Sequence, residues 1–261
     1  MDQTADRAML NKVPLITAAF WIIKILATTV GETGADYLNF NVGLGLALTA
    51  VVMAVALVGL LVIQFRQSRY VPWIYWLVVV FVSVVGTLIT DLMTDSFGIS
   101  LYLSTAVFTV LLGLTFLAWH NREHTLSIHA IDTRSREAFY WAAILFTFAL
   151  GTAAGDLLSE QMGLGYAKSG LIFGGGIALV TLGYYLKLLG PVLAFWIAYI
   201  LTRPLGASIG DFLTQLPKAG GLGLAPMMVT AVFLVLIVAL VVYLTISGSD
   251  RVPPEERRSP V

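Results

Sequence analysis

Seven acidic residues of this 261-residue chain lie in, or at the ends of, strongly hydrophobic stretches. They are Glu32, Asp36, Asp91, Asp95, Asp156, Glu160 and Asp211. Six of the seven form pairs four residues apart, a spacing that places both carboxylates of a pair on one face of a helix. Carboxylate oxygens suit hard cations such as Mg²⁺, Mn²⁺ and Ca²⁺. The chain has no cysteine, and its hydrophobic stretches have no histidine, which argues against Cu(I) or Zn²⁺.

Other polar residues share the helix face of these acids and extend the predicted metal-ligand set. Hydroxyl or amide oxygens that could assist are those of Thr28, Ser83, Thr87, Thr152 and Asn39. Only two basic residues occur in the same stretches, and two cations cannot neutralise seven acids. We expect Arg203 to act as a gate or counter-charge, and Lys24 to be a counter-ion to Glu32 or an inner gate.

Composition places the chain in a membrane. Hydrophobic residues make up 58% and charged residues 11%, against about 25% charged in a soluble domain. The 15 basic and 15 acidic residues balance, so nothing indicates a nucleic-acid partner. No Ser-His pair, HExxH motif or nucleotide-binding loop occurs, and the sequence therefore predicts no enzyme and no certain cofactor.

Hydropathy predicts eight membrane spans of roughly 20 residues each. Their ranges are 14–36, 43–64, 72–93, 100–119, 138–158, 166–187, 190–214 and 224–247. Eleven of the 15 basic residues fall on one side of this stack. The positive-inside rule then predicts a plasma (inner) membrane protein with cytoplasmic N- and C-termini.

A fourfold internal repeat is present. A tryptophan preceded by Phe or Tyr begins each odd span, at Trp21, Trp76, Trp141 and Trp196. A glycine follows ten residues later and an aspartate 15 residues later in all four copies. A Gly-Leu/Ile-Gly/Ser-Leu/Tyr element closes each pattern. We expect the tryptophans to be interfacial anchors that also pack the repeats, and the glycines to allow close helix packing.

In these residues the chain resembles a family of bacterial membrane proteins built from four tandem two-span repeats, each with a marker tryptophan. The resemblance covers essentially the whole chain. It implies the architecture and no activity, because the repeat is one of unknown function.

Two-span repeats all enter the membrane in the same direction, which predicts an all-α, polytopic bundle with pseudo-fourfold or two-by-two symmetry. The predicted segments are a cytoplasmic N-terminus (1–13), four repeats (14–66, 67–120, 138–188 and 189–247), a cytoplasmic loop (121–137) and a disordered tail (248–261).

The leading functional hypothesis is a transporter or exporter of a hard divalent cation, with Mn²⁺ or Mg²⁺ favoured over Ca²⁺. Proton exchange on the clustered carboxylates would couple the transport. Two alternatives stay open: a transporter or channel for protons, Na⁺ or an organic cation, and a non-transporting membrane scaffold. The expected partners are the lipid bilayer and an inorganic cation, and a homo-oligomer stays open.

Overall fold

A computed structural model describes residues 11–251, without the side chains of residues 40 and 41. Eight long helices occupy this part of the chain, and no strand occurs in it. They are α1 (Ala18–Asp36), α2 (Leu46–Arg66), α3 (Pro72–Asp91), α4 (Leu101–Glu123), α5 (Arg134–Asp156), α6 (Tyr166–Tyr185), α7 (Pro191–Thr214) and α8 (Pro226–Ser247). The predicted all-α class is confirmed.

Helices α2 to α8 are each long and apolar enough to cross a membrane. Among the eight long helices of residues 11–251, α1 alone falls outside this set. Its 19 residues carry Lys24, Glu32 and Asp36, which lower its apolar character. The structure therefore supports a membrane protein with seven clear candidate spans.

The four odd-numbered helices form a closed ring in which each helix contacts the next and α7 contacts α1. The repeated glycines make these contacts close. A Cβ added to Gly31 would lie 1.8 Å from Ser83 Oγ, and one added to Gly206 would lie 1.8 Å from Thr28 Oγ1. Gly86 meets Phe148, and Gly151 meets the Arg203 side chain, in the same way. In every repeat the glycine therefore packs against the residue that lies seven positions after the tryptophan of the next repeat. The four inner helices thus pack at the same height relative to one another, which is a pseudo-fourfold arrangement.

The same register appears in an aromatic layer at the helix starts. The aromatic residue before each tryptophan contacts the tryptophan of the next repeat around the ring. These ring pairs have centroids between 5.5 and 6.3 Å apart, and they are Phe20–Trp76, Tyr75–Trp141, Tyr140–Trp196 and Phe195–Trp21. Trp76, Trp141 and Trp196 are buried. These three tryptophans therefore pack one repeat against the next, and none of them lies on the outer surface of the bundle.

The even-numbered helices form an outer layer, and each packs on the inner helix of the following repeat. Helix α2 covers α3, α4 covers α5, α6 covers α7, and α8 returns to α1. The connecting loops contain glycines with positive φ, such as Gly43 (74°) and Gly163 (68°), a conformation that other residues rarely adopt. The Gly-Leu/Ile-Gly/Ser element therefore forms the turn between the inner and outer helices of a repeat. This turn directs the outer helix onto the inner helix of the following repeat.

At the end of the ring opposite these turns, the buried carboxylates of Glu137 and Asp250 hold the segments that flank the helices. Lys12 Nζ lies 2.5 Å from Glu137 Oε2, and Gln64 Nε2 donates to the other Glu137 oxygen at 3.1 Å. Tyr70 Oη donates to Asp250 Oδ2 at 2.6 Å, and burial raises the pKa of Asp250. The tail was predicted to be disordered from residue 248. That prediction is wrong for the buried Asp250, while residues 1–10 and 252–261 lie outside the described residues.

Candidate cation-binding cavity

One cavity of about 190 Å³ lies where the four inner helices end, beside the glycine turns. All seven predicted carboxylates line it. The full lining is Glu32, Asp36, Asn39, Asp91, Thr94, Asp95, Leu101, Asp156, Glu160, Asp211 and Gln215. We call this space the acidic cavity. The fourfold ring places one aspartate from each inner helix at its wall, since each follows its tryptophan by 15 residues.

A change of helix type shapes the rim of the acidic cavity. Asp36, Asp91 and Asp156 are each the last α-helical residue of their helix, and a five-residue π-helical turn follows each one. π-helical turns are rare and often occur at functional sites. Those three turns carry Asn39, Asp95 and Glu160 to the cavity rim. In the fourth repeat α7 continues as an α-helix to Thr214, and Gln215 follows it.

Burial of the acids increases with depth. Asp95 and Glu160 are exposed, whereas Asp36, Asp91 and Asp156 are partly buried. Glu32 and Asp211 are only 6% and 5% exposed. The acidic cavity thus has an exposed rim at Asp95 and Glu160 and a buried floor at Glu32. The four ring aspartates lie between them, and Asp211 is the most buried of the four.

Arg203 closes that floor. Its guanidinium is fully buried and donates to Glu32 Oε2 at 3.0 Å, to Thr152 Oγ1 at 2.6 Å and to Thr87 Oγ1. These three acceptors lie at the same position in repeats one to three, 11 residues after the tryptophan. One side chain of the fourth repeat therefore ties the other three repeats together on the ring axis. The predicted counter-charge role of Arg203 agrees with this ion pair.

Lys24 is the second buried cation on the inner helices. Its ammonium lies 4.1 Å from the ring centroid of Phe148 and 4.2 Å from that of Tyr199. It has no hydrogen-bond partner among the described residues. The prediction that Lys24 is a counter-ion to Glu32 is wrong, because Glu32 pairs with Arg203.

The three predicted threonine ligands lie beneath the acidic cavity rather than on its wall. Thr87 and Thr152 accept hydrogen bonds from Arg203, and Thr87 also donates to Glu32 Oε2 at 3.4 Å. The Thr28 hydroxyl donates to the carbonyl of Ile25 at 2.7 Å. Ser83 packs against Gly31. The predicted ligands that share one cavity are therefore the seven acids and Asn39.

The carboxylates are spread around the cavity wall. Within residues 11–251, no three carboxylate or imidazole groups lie close enough together to hold one metal ion directly. The acids face a common space and keep their distance from one another across it.

A family model described as "Repeat of Unknown Function (DUF347)" matches residues 19–70, 74–125, 139–187 and 194–250. The chain belongs to the DUF347 family. Its four DUF347 repeats are those predicted from the tryptophan, glycine and aspartate spacing, and each contains one inner and one outer helix. No curated protein and no solved structure matches the chain.

The sequence pattern does not predict the roles of two residues in or beside the acidic cavity. Leu101 lines its wall, and Tyr166, outside the lining, donates from Oη to Glu160 Oε1 at 2.9 Å. Both occupy the last position of the Gly-Leu/Ile-Gly/Ser-Leu/Tyr element and are the first residue of an outer helix. The replacement of leucine by tyrosine in the third copy was the available signal, because a phenol can reach a nearby carboxylate.

Proposed function

We propose that this DUF347 protein carries a hard divalent cation, Mn²⁺ or Mg²⁺, across the inner membrane by way of the acidic cavity. The observation that carries the proposal is the convergence of seven carboxylates on one cavity of about 190 Å³. Among the described residues, Arg203 is the one basic side chain that forms an ion pair with any of them. The cavity therefore holds a large excess of acidic groups.

Such an excess requires a cation or protons. An ionised side chain at membrane depth costs about 2.5–3.5 kcal/mol even on the lenient insertion scale. Like charges that share a site also repel, so that either protons or a metal ion must neutralise several of the carboxylates. Exchange of one for the other is the simplest coupling of metal movement to proton movement.

The position of α1 in the ring supports an eighth membrane span. Helix α1 lies between α3 and α7 in the same register, and both of those neighbours are apolar enough to cross a membrane. We infer that α1 crosses with them, which gives eight spans, with the termini on the cytoplasmic side as the basic residues favour.

Arg203 closes the acidic cavity on its inner side. A cation that reaches Glu32 competes with the guanidinium for the same carboxylate oxygen, which lies 3.0 Å from Arg203. Binding of the ion at the floor would therefore weaken the contact that ties the four repeats together on the axis. Through this competition, a cation bound in the acidic cavity would favour separation of the four inner helices beneath Glu32.

Purified protein in proteoliposomes tests the proposal. Wild-type protein should move Mn²⁺ or Mg²⁺ down a gradient, and Asp156→Asn should abolish the flux because it removes a wall carboxylate. Asp132→Asn is the matched control, since Asp132 forms an (i,i+4) surface pair with Arg136 outside the cavity. Transport of a monovalent or organic cation alone would favour the alternative carriers. Equal divalent flux in wild type, Asp156→Asn and empty vesicles would refute the proposal.

A further inference from the structure

The size of the acidic cavity and the spread of its acids suggest how a cation is held there. We propose that the cavity takes the ion with its first shell of water in place, and that this hydrated binding favours Mg²⁺. The inference rests on the proposed function and narrows its substrate.

Volume is the first argument. A water needs about 10–15 Å³ of a protein cavity measured in this way, so the six waters of an octahedral ion need roughly 60–90 Å³. The acidic cavity has about 190 Å³. It therefore has room for an ion with its complete first shell of water, whereas a bare ion would leave most of the space to other water.

The arrangement of the wall is the second argument. Asp36, Asp91, Asp156 and Asp211 come from four different helices of the ring, so the ring itself holds them apart. In the described part of the chain no three carboxylates converge closely enough to replace the water of one ion. Carboxylates that surround a hydrated ion instead accept hydrogen bonds from its waters, and such charge-assisted bonds are short and strong.

Asp211 supplies an independent observation. Its side chain is 5% exposed and lines the cavity, and no basic side chain of residues 11–251 forms an ion pair with it. Because its oxygens open onto the cavity, their hydrogen-bond donors come from what the cavity contains. The waters of a bound ion carry polarised hydrogens that point outward, and they supply those donors from within the cavity.

The ion's own chemistry selects Mg²⁺ from the hard divalent cations. Mg²⁺ dehydrates reluctantly and usually keeps several of its waters when it binds to proteins. Ca²⁺ takes six to eight oxygen ligands in flexible geometry and is held directly by carboxylates and carbonyls. A cavity that keeps its acids apart therefore suits the ion that holds its water most firmly.

Cobalt(III) hexaammine tests the inference, because its ammonia ligands do not exchange and it can bind only through its outer shell. We expect it to raise the melting temperature of purified wild-type protein and to compete with Mg²⁺ in equilibrium binding. Asp211→Asn should weaken the binding of both probes about 10- to 100-fold, as loss of outer-shell partners does in metal sites. Asp132→Asn should leave it unchanged. Asp91→Asn serves as a second cavity variant if Asp211→Asn does not fold.

The outcomes separate this inference from the proposed function. Binding of Mg²⁺ or Mn²⁺ without competition from cobalt(III) hexaammine would overturn hydrated binding and leave divalent transport standing. If cobalt(III) hexaammine binds equally to the wild type and to both cavity variants, its binding site lies elsewhere on the protein. That result would also overturn the inference. Failure of every divalent ion to bind would remove the proposed function as well.

Discussion

Replacement of Arg203 by glutamine should destabilise the protein through the buried carboxylate that it leaves behind. Arg203 is fully buried, and the Glu32 side chain is 8% exposed at a distance of 3.0 Å. Removal of one partner from a buried ion pair typically costs about 3–5 kcal/mol, because the other charge stays desolvated. The variant also loses the hydrogen bonds from Arg203 to Thr87 and Thr152, each from a different inner helix.

The expected size of the effect can be stated as a melting temperature. A change of 1 kcal/mol shifts the melting temperature by roughly 2–4 °C for chains of about this length. Arg203→Gln should therefore lower it by roughly 6–20 °C. Thermal unfolding of the purified protein in detergent, without divalent ions and at a fixed scan rate, measures this shift.

A double variant isolates the ion pair from the packing of the arginine stem. Arg203→Gln combined with Glu32→Gln leaves two neutral amides, so no unpaired charge stays buried. Its loss of stability should be smaller than the sum of the two single losses, since residues in direct contact couple. Additive losses, or an Arg203→Gln protein as stable as the wild type, would refute the reasoning.

Two further predictions concern the ring. Gly31→Ala should destabilise the protein by about 1–3 kcal/mol, since the added Cβ would lie 1.8 Å from Ser83 Oγ and 2.9 Å from the Ser83 backbone carbon. Gly59→Ala in α2 is the control, because a Cβ added there meets nothing within 4 Å. It should be neutral or should stabilise the protein by up to about 1 kcal/mol. Equal melting temperatures for Gly31→Ala and Gly59→Ala would contradict the close packing at Gly31. Lys24→Met should raise the melting temperature, because the buried Lys24 Nζ has no hydrogen-bond partner among the described residues and methionine fills a similar volume without a buried polar group. A lower melting temperature for Lys24→Met would contradict that reasoning.

Sequence reasoning predicted the repeats and the shared acidic face because these depend on fixed spacing along one helix. Tryptophan, glycine and aspartate recur at offsets of 0, 10 and 15, and helical periodicity converts those offsets into one face and one depth. Four parallel copies in register then place Asp36, Asp91, Asp156 and Asp211 at the same level. The cavity follows from the pattern with little further information.

Other features depend on contacts between helices, which spacing within one helix does not specify. The pattern of α2 does not show that it packs on α3 rather than on α1, because its apolar residues suit lipid and protein equally well. The predicted ion pair between Lys24 and Glu32 is wrong because the two side chains lie too far apart. The two residues are eight positions apart, about 12 Å along the helix, and Arg203 from the neighbouring α7 is much closer to Glu32.

The account depends most on the claim that the acidic cavity binds a divalent cation. Isothermal titration of purified wild-type protein with Mg²⁺ and Mn²⁺ measures this binding without any assumption about transport. The account predicts saturable binding that is lost in Asp156→Asn and retained in Asp132→Asn. An absence of binding in the wild type, or equal binding in both variants, would contradict it.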